Sequence, residues 1–312
     1  MRFVVAVLLA SVCFGTTGTA QALGPDASSA SVGAARILIG GGALGLVALG
    51  LHVAGRRRGA TGTSAAPTSG AASRHPLPSW VLVVIGALGV LAYQPAFFAG
   101  TAVNGVAVGT VVALGSAPII TGALDWALRR RYPGHRWLVA TAIATAGVAI
   151  LAGASEPGRA AADPIGLLAS LGAGFAYAVY TLAGKALLDR GWTPVGSMGG
   201  LFGVAAVASV PILAATDASW LATGPGLAMA LWLGLVATTL AYVLFGTGLR
   251  GLAPATVSTL TLAEPLTAGI LGVAVLGETL SAGGVVGLLV LAAGIVVLAT
   301  AGVRRAPRTV TA

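Results

Sequence analysis

The sequence predicts an all-α integral membrane protein, with ten transmembrane helices arranged as two inverted five-helix repeats. Three observations predict it. Hydrophobic residues make up 57% of the 312-residue chain and charged residues only 8%, where a soluble domain carries about 25% charged. So little charge cannot cover a water-facing surface, and so much apolar residue excludes a disordered chain. Ten apolar runs stand between charged or turn-rich breaks, each near the roughly 20 residues that cross the hydrocarbon. Finally, the chain matches itself at a fixed offset, which is described below.

Taken in order, the first run spans residues 3–23. Arg2, the apolar Phe3 to Phe14 and Ala20-Gln21-Ala22 have the form of a secretory signal peptide. The same residues also make a first membrane helix, and the repeat needs that helix. The second run covers 32–54. It is followed by a basic linker over 55–78, rich in Gly, Ala, Ser and Thr, a composition that stays flexible. The remaining runs are 79–99, 106–128, 137–154, 165–186, 197–215, 226–247, 254–276 and 283–302. The expected organisation is a first five-helix unit over 1–154, a second over 155–302, and a basic cytoplasmic tail over 303–312.

Charge fixes the expected orientation. With the N-terminus in the cytoplasm, fifteen of the seventeen Lys and Arg fall on the inner side. Only Arg159 falls outside, and Arg36 lies within the second helix. This is a positive-inside pattern, and it places both termini in the cytoplasm. The excess of Arg over Lys, with high Ala and Gly, points to a bacterial genome and so to a bacterial cytoplasmic membrane. A net charge of +9 suggests nucleic acid in a soluble protein. Here it is orientation, and no nucleic-acid partner is expected. Cys13 is the lone cysteine and the three histidines are scattered, so neither a disulfide nor a metal site is expected.

An offset of 147 residues aligns helices three to five with helices eight to ten without a gap. Phe98 meets Phe245, Pro118 meets Pro265, Gly122 meets Gly269, and Ala146-Gly147 meets Ala293-Gly294. Helices one and six match more loosely, through CFGTTGTAQAL at Cys13 and AYAVYTLAGKAL at Ala176. Five helices per unit is an odd number, so the second unit is inverted. Inverted repeats are a mark of secondary transporters.

The segment LTLAEPLTAGILGVAVLGETLSAGG at Leu260 resembles the end of an EamA domain of the drug/metabolite transporter superfamily. Glu264-Pro265 and Gly277-Glu278 carry the resemblance, with FGTTGTA at Phe14 and AARILIGGGAL at Ala34, which includes Arg36. The resemblance implies a ten-helix transporter of small organic metabolites or drugs, with both termini inside, working as an exporter. The first unit departs from the pattern: Ala117 stands at the position equivalent to Glu264, and Arg131 at that of Glu278.

Glu264 is the sharpest candidate for substrate or proton binding. A charge at mid-helix costs at least ~2.5 kcal/mol on insertion scales, and an acid kept there is functional by default. Pro265 and Pro118 are expected helix breaks, since proline frees a carbonyl one turn back. Thr261 and Thr267 lie about one turn to either side of Glu264. Arg36 has two readings, a bidentate ligand for a substrate carboxylate or phosphate and an arginine snorkelling to headgroups. Tyr93, Gln94, Tyr177, Tyr180 and Tyr242 offer aromatic and hydrogen-bonding groups suited to a mostly apolar pocket. Lys185 reads as a positive-inside anchor, Glu278 as a helix-end contact, and Asp125 with Arg129 as a local ion pair.

These readings favour a secondary transporter working by alternating access, with proton coupling through Glu264 as one option. No cofactor is expected, and no P-loop or nucleophile elbow supports an enzyme. The expected partners are a small-molecule substrate and the lipid bilayer, with a homodimer left open. The rival is a non-transporting sensor or assembly partner.

Overall fold

The computed structural model describes residues 1–60, 77–130, 132–153 and 163–301. Most of the 55–78 linker, Arg131, Arg159 and the 303–312 tail lie outside the described residues. The described chain contains ten helices long and apolar enough to cross a membrane. We number them α1 (Arg2–Ala22), α2 (Ser29–Ala60), α3 (Ser79–Gly105), α4 (Val108–Arg129) and α5 (His135–Gly153). Then follow α6 (Pro164–Asp189), α7 (Pro194–Ala214), α8 (Gly224–Gly251), α9 (Pro254–Leu276) and α10 (Ala282–Ala301).

The helix starts follow from local chemistry. Asp163 precedes Pro164, and its Oδ1 accepts from the Ile165 amide at 2.7 Å. Thr193 and Thr223 cap α7 and α8 through the amides of Gly196 and Gly226. Each cap is followed within two residues by a proline, whose fixed φ and missing N–H suit a first turn. Helix α2 runs on to Ala60, into the stretch expected to be linker. Arginine is a good helix former, and its charge suits a helix C-terminus.

Two departures from the expected helices shape the centre. Helix α3 extends past residue 99, and the chain reverses at Gly105 (φ 78°, ψ 162°) with almost no loop. Only glycine takes that conformation readily. The reversal is tight, since a Cβ at Gly109 would lie 2.7 Å from the Thr101 Cα. Helix α4 passes through Pro118 without interruption. Loss of one amide donor is tolerated inside a helix that neighbours hold on several sides, so the break expected at Pro118 is absent.

Helix α6 packs against both α3 and α4, and α1 packs against both α8 and α9. Helices α2 and α7 form one close pair and α5 and α10 another. In the first pair, a Cβ at Gly45 would lie 2.9 Å from the Gly203 Cα, so Gly41 and Gly45 present a small-residue face to α7. Fully buried side chains such as Phe202, Phe245, Leu187 and Met198 fill the centre. The outward faces carry Val207, Leu289 and similar exposed apolar residues, as lipid contact requires.

Candidate functional site

Helix α9 is two segments, Pro254–Leu260 and Ala263–Leu276, joined by a turn at Thr261–Leu262. Pro265 causes it. Lacking an N–H, it cannot bond the Thr261 carbonyl four residues back. That carbonyl accepts from the Glu264 amide instead, at 2.9 Å. The restart places Glu264 in the first turn of the second segment, where the helix dipole favours a negative charge. The turn is braced from α6. Thr261 Oγ1 donates to the Ser258 carbonyl at 2.7 Å. Its one hydrogen is thereby used, so the Tyr177 hydroxyl donates to Thr261 Oγ1 across 2.9 Å. From the other side α1 presses in at Gly15, where a Cβ would lie 2.8 Å from the Glu264 carbonyl oxygen and 2.6 Å from the Thr267 Cβ.

Two cavities meet at Glu264. The larger, about 370 Å³, is lined by Phe14, Thr17, Gln21, Gly33, Arg36, Tyr93, Gln94 and Glu264 among others. It runs from mid-bundle toward the end that carries the α1–α2 connection. The smaller, about 60 Å³, adds Tyr177, Tyr180, Tyr242, Ser258 and Thr261. Phe14, Arg36, Tyr93, Leu114 and Glu264 line both. The larger volume lies in the usual range of small-molecule pockets. Below it the aromatic rings close ranks. Phe14 sits 5.1 Å from Tyr242, Tyr242 3.9 Å from Phe202, and Tyr177 5.0 Å from Tyr180. The Tyr180 and Tyr242 hydroxyls are 3.3 Å apart.

Arg36 is spoken for by α8. Residues Trp232–Leu240 of α8 form a π-helix, a wider coil often found at functional sites. Arg36 Nε donates to Thr238 Oγ1 and Nη2 to the Ala237 carbonyl, both at 2.9 Å. Thr239 Oγ1 joins the same helices by donating to the Gly40 carbonyl at 2.9 Å. Glu264 differs. Among the described residues no side-chain hydrogen bond and no ion pair reaches its carboxylate. The site therefore offers one held cation and one unheld anion.

All eight residues expected to bind substrate or proton thus gather around one space. Pro265 lines it too, whereas Pro118 lies buried in α4 and lines neither cavity. The π-helix, its Ala237 and Thr238 acceptors, and the wall residues Phe97, Phe98 and Thr17 escaped the sequence reading. Hydropathy is the same for α and π coils, so within the π-helix only the paired Thr238-Thr239 hinted at polarity.

A family model described as the EamA-like transporter family matches residues 164–300. The uncharacterized transporter YwfM of Bacillus subtilis (strain 168) is 39% identical over 299 residues, which cover 95% of this chain and 93% of that protein. The chain belongs to the EamA-like transporter family. A solved crystal structure with 19% identity superposes at a TM-score of 0.73 over 95% of both chains, which shows a shared fold.

In this EamA protein the remaining motif residues serve the frame. Gly277 takes φ 70° at the C-terminus of α9, and the Glu278 amide bonds back to the Gly272 carbonyl at 3.0 Å. The Gly-Glu pair is thus a helix stop, with Gly277 in the left-handed conformation that commonly ends a helix. Lys185 Nζ donates to the Leu249 and Arg250 carbonyls at 3.0 and 3.3 Å and so caps α8. It also pairs with Asp189 at 3.3 Å. Arg129 bridges Asp125 at 2.8 Å and Asp189 at 2.5 Å. This network ties α4, α6 and α8 together at the end opposite the larger cavity.

Proposed function

We propose that this chain is a secondary transporter that moves small organic cations across a bacterial cytoplasmic membrane by alternating access. Glu264 takes either a proton or the positive group of the substrate. One observation carries the reading: among the described residues Glu264 lines both cavities at mid-bundle with no bonded partner, while the nearby cation Arg36 is fixed to the π-helix. An unpaired carboxylate at that depth is costly. It is relieved by a proton or by a cation, but not by both at once. The surrounding tyrosine faces suit an organic cation.

Alternating access draws support from the packing. Exchanging α1–α5 for α6–α10 turns the α1 contacts with α8 and α9 into the α6 contacts with α3 and α4, and leaves the α2–α7 and α5–α10 pairs in place. Two near-equivalent halves, 1–154 and 155–302, are what a rocking mechanism needs. With both termini in the cytoplasm, as the charge pattern argues, the larger cavity faces outward and the Arg129–Asp189 network closes the inner side. Proton entry from outside then drives export of the cation.

The test is flux into liposomes carrying a pH-sensitive dye, with a panel of organic cations. Cation-dependent proton movement that Glu264→Gln abolishes supports the reading. Equal flux in wild type and Glu264→Gln removes Glu264 from coupling. No flux from folded protein across the panel favours a non-transporting membrane component.

A further inference from the structure

Behind Gln94 lies a third space. A recess of about 200 Å³ sits between α2, α3 and α7, lined by Ala30, Ala34, Ile37, Val90, Pro95 and Ile212 among others. It shares Gly33, Gln94 and Phe98 with the larger central cavity, so these three residues form the junction between the two. The junction depends on Gly33. A Cβ there would lie 1.7 Å from Gln94 Oε1, so the Gln94 amide rests directly on the Gly33 backbone. Among the described residues no hydrogen bond holds that amide, and a side chain lying across a junction without a bond is free to swing aside. Ala34, Ile37 and Val90 are buried at the recess wall, while Ala30, Pro95 and Ile212 form an exposed rim. Its few polar groups are Ser29, Ser209 and Gln94, and Ser209 is already bonded to the Ala205 carbonyl at 2.9 Å.

The geometry points to a subsite for the alkyl tail of an amphipathic cation whose charged head occupies the central cavity at Glu264. This rests on the cation reading above and adds the shape of the substrate. The unheld carboxylate and tyrosine rings take the head. The apolar recess, entered past Gln94, takes a chain of several methylenes. A compact cation fills only the first, whereas an alkylated one fills both.

The experiment measures binding of tetramethylammonium and of propyl- and hexyltrimethylammonium to the purified full chain by calorimetry. Wild type is compared with Ala34→Leu, which fills the recess wall, and Ala30→Trp, which blocks its rim. In wild type the affinity rises along the series by up to about fourfold per added methylene. In both variants tetramethylammonium binds as in wild type, which shows a folded site, and the gain with chain length falls away. A gain of equal size in wild type and both variants reports partition into detergent and overturns the subsite. So does the absence of any gain in wild type. If tetramethylammonium itself fails to bind wild type, the cation reading falls and this inference falls with it, a result distinct from a missing chain-length gain.

Discussion

Glu264 owes its position to four neighbours that divide three physical tasks. Pro265 forces the helix to restart, Thr261 and Tyr177 brace the turn, and Gly15 lets α1 lie against the Glu264 backbone. Filling Gly15 is therefore expected to do more than destabilise. Gly15→Val drives a side chain into backbone and Thr267, at a cost of about 1–3 kcal/mol for overpacking. Thermal unfolding in detergent reads that cost, and cation binding is predicted to weaken because Glu264 shifts. Arg36 makes a contrasting prediction. Arg36→Ala removes both of its hydrogen bonds to α8 and is expected to destabilise by about 1–3 kcal/mol. Arg36→Lys does not restore both contacts, because an ammonium lacks the planar fork. Unchanged melting in both variants contradicts a role for Arg36 in holding α8. The eight candidate residues were legible in the sequence because polar groups stand out in apolar helices, where each one demands a reason. What Arg36 does was not legible. Its two sequence readings were substrate ligand and headgroup anchor, and the structure spends it on the protein's own α8.

At the level of elements, hydropathy located every span and misjudged the joints. The α3–α4 joint was expected over 100–105, but its tightness was hidden because residues 99–108 hold little polar sequence beyond Thr101 and Asn104. Asn104 ties this reversal to the start of α6, donating to the Asp163 carbonyl at 2.9 Å and accepting from the Asp163 amide at 2.7 Å. Gly105→Ala is predicted to lower stability, since a Cβ at φ 78° is strained. Melting measurements on that variant check it, with Gly100 untouched as the internal standard for position. Likewise Pro118 and Pro265 looked equivalent by repeat alignment, yet only Pro265 accompanies a break. A turn at Thr261 held by a tyrosine from α6 stands before Pro265, whereas the chain before Pro118 remains helical. The π-helix in α8 lay beyond any periodic pattern, because its side chains are as apolar as those of the flanking α-helix.

Across the whole molecule, an open cavity at one end is matched by a tied network at the other. Arg129, Asp189, Lys185 and Asp125 link three helices where the cavity does not reach. Removing the shared acid should loosen that end. Asp189→Asn is predicted to change global stability little, since partly exposed ion pairs contribute about 0–1 kcal/mol each. It should nevertheless raise labelling of a cysteine placed at Tyr180 by a reagent added from the closed side. No rise in labelling would separate the network from closure. The ten-helix frame, the positive-inside asymmetry and the 147-residue offset were all plain in the sequence. Which end stands open was not, because that depends on how the helices pack and hydropathy does not report packing.

The central claim is that a proton and a cation compete for Glu264. It is tested most directly by adding tetramethylammonium to purified protein in weakly buffered detergent and reading proton release. The account predicts close to one proton released per cation bound, and none from Glu264→Gln. Cation binding to wild type with no proton release would contradict it.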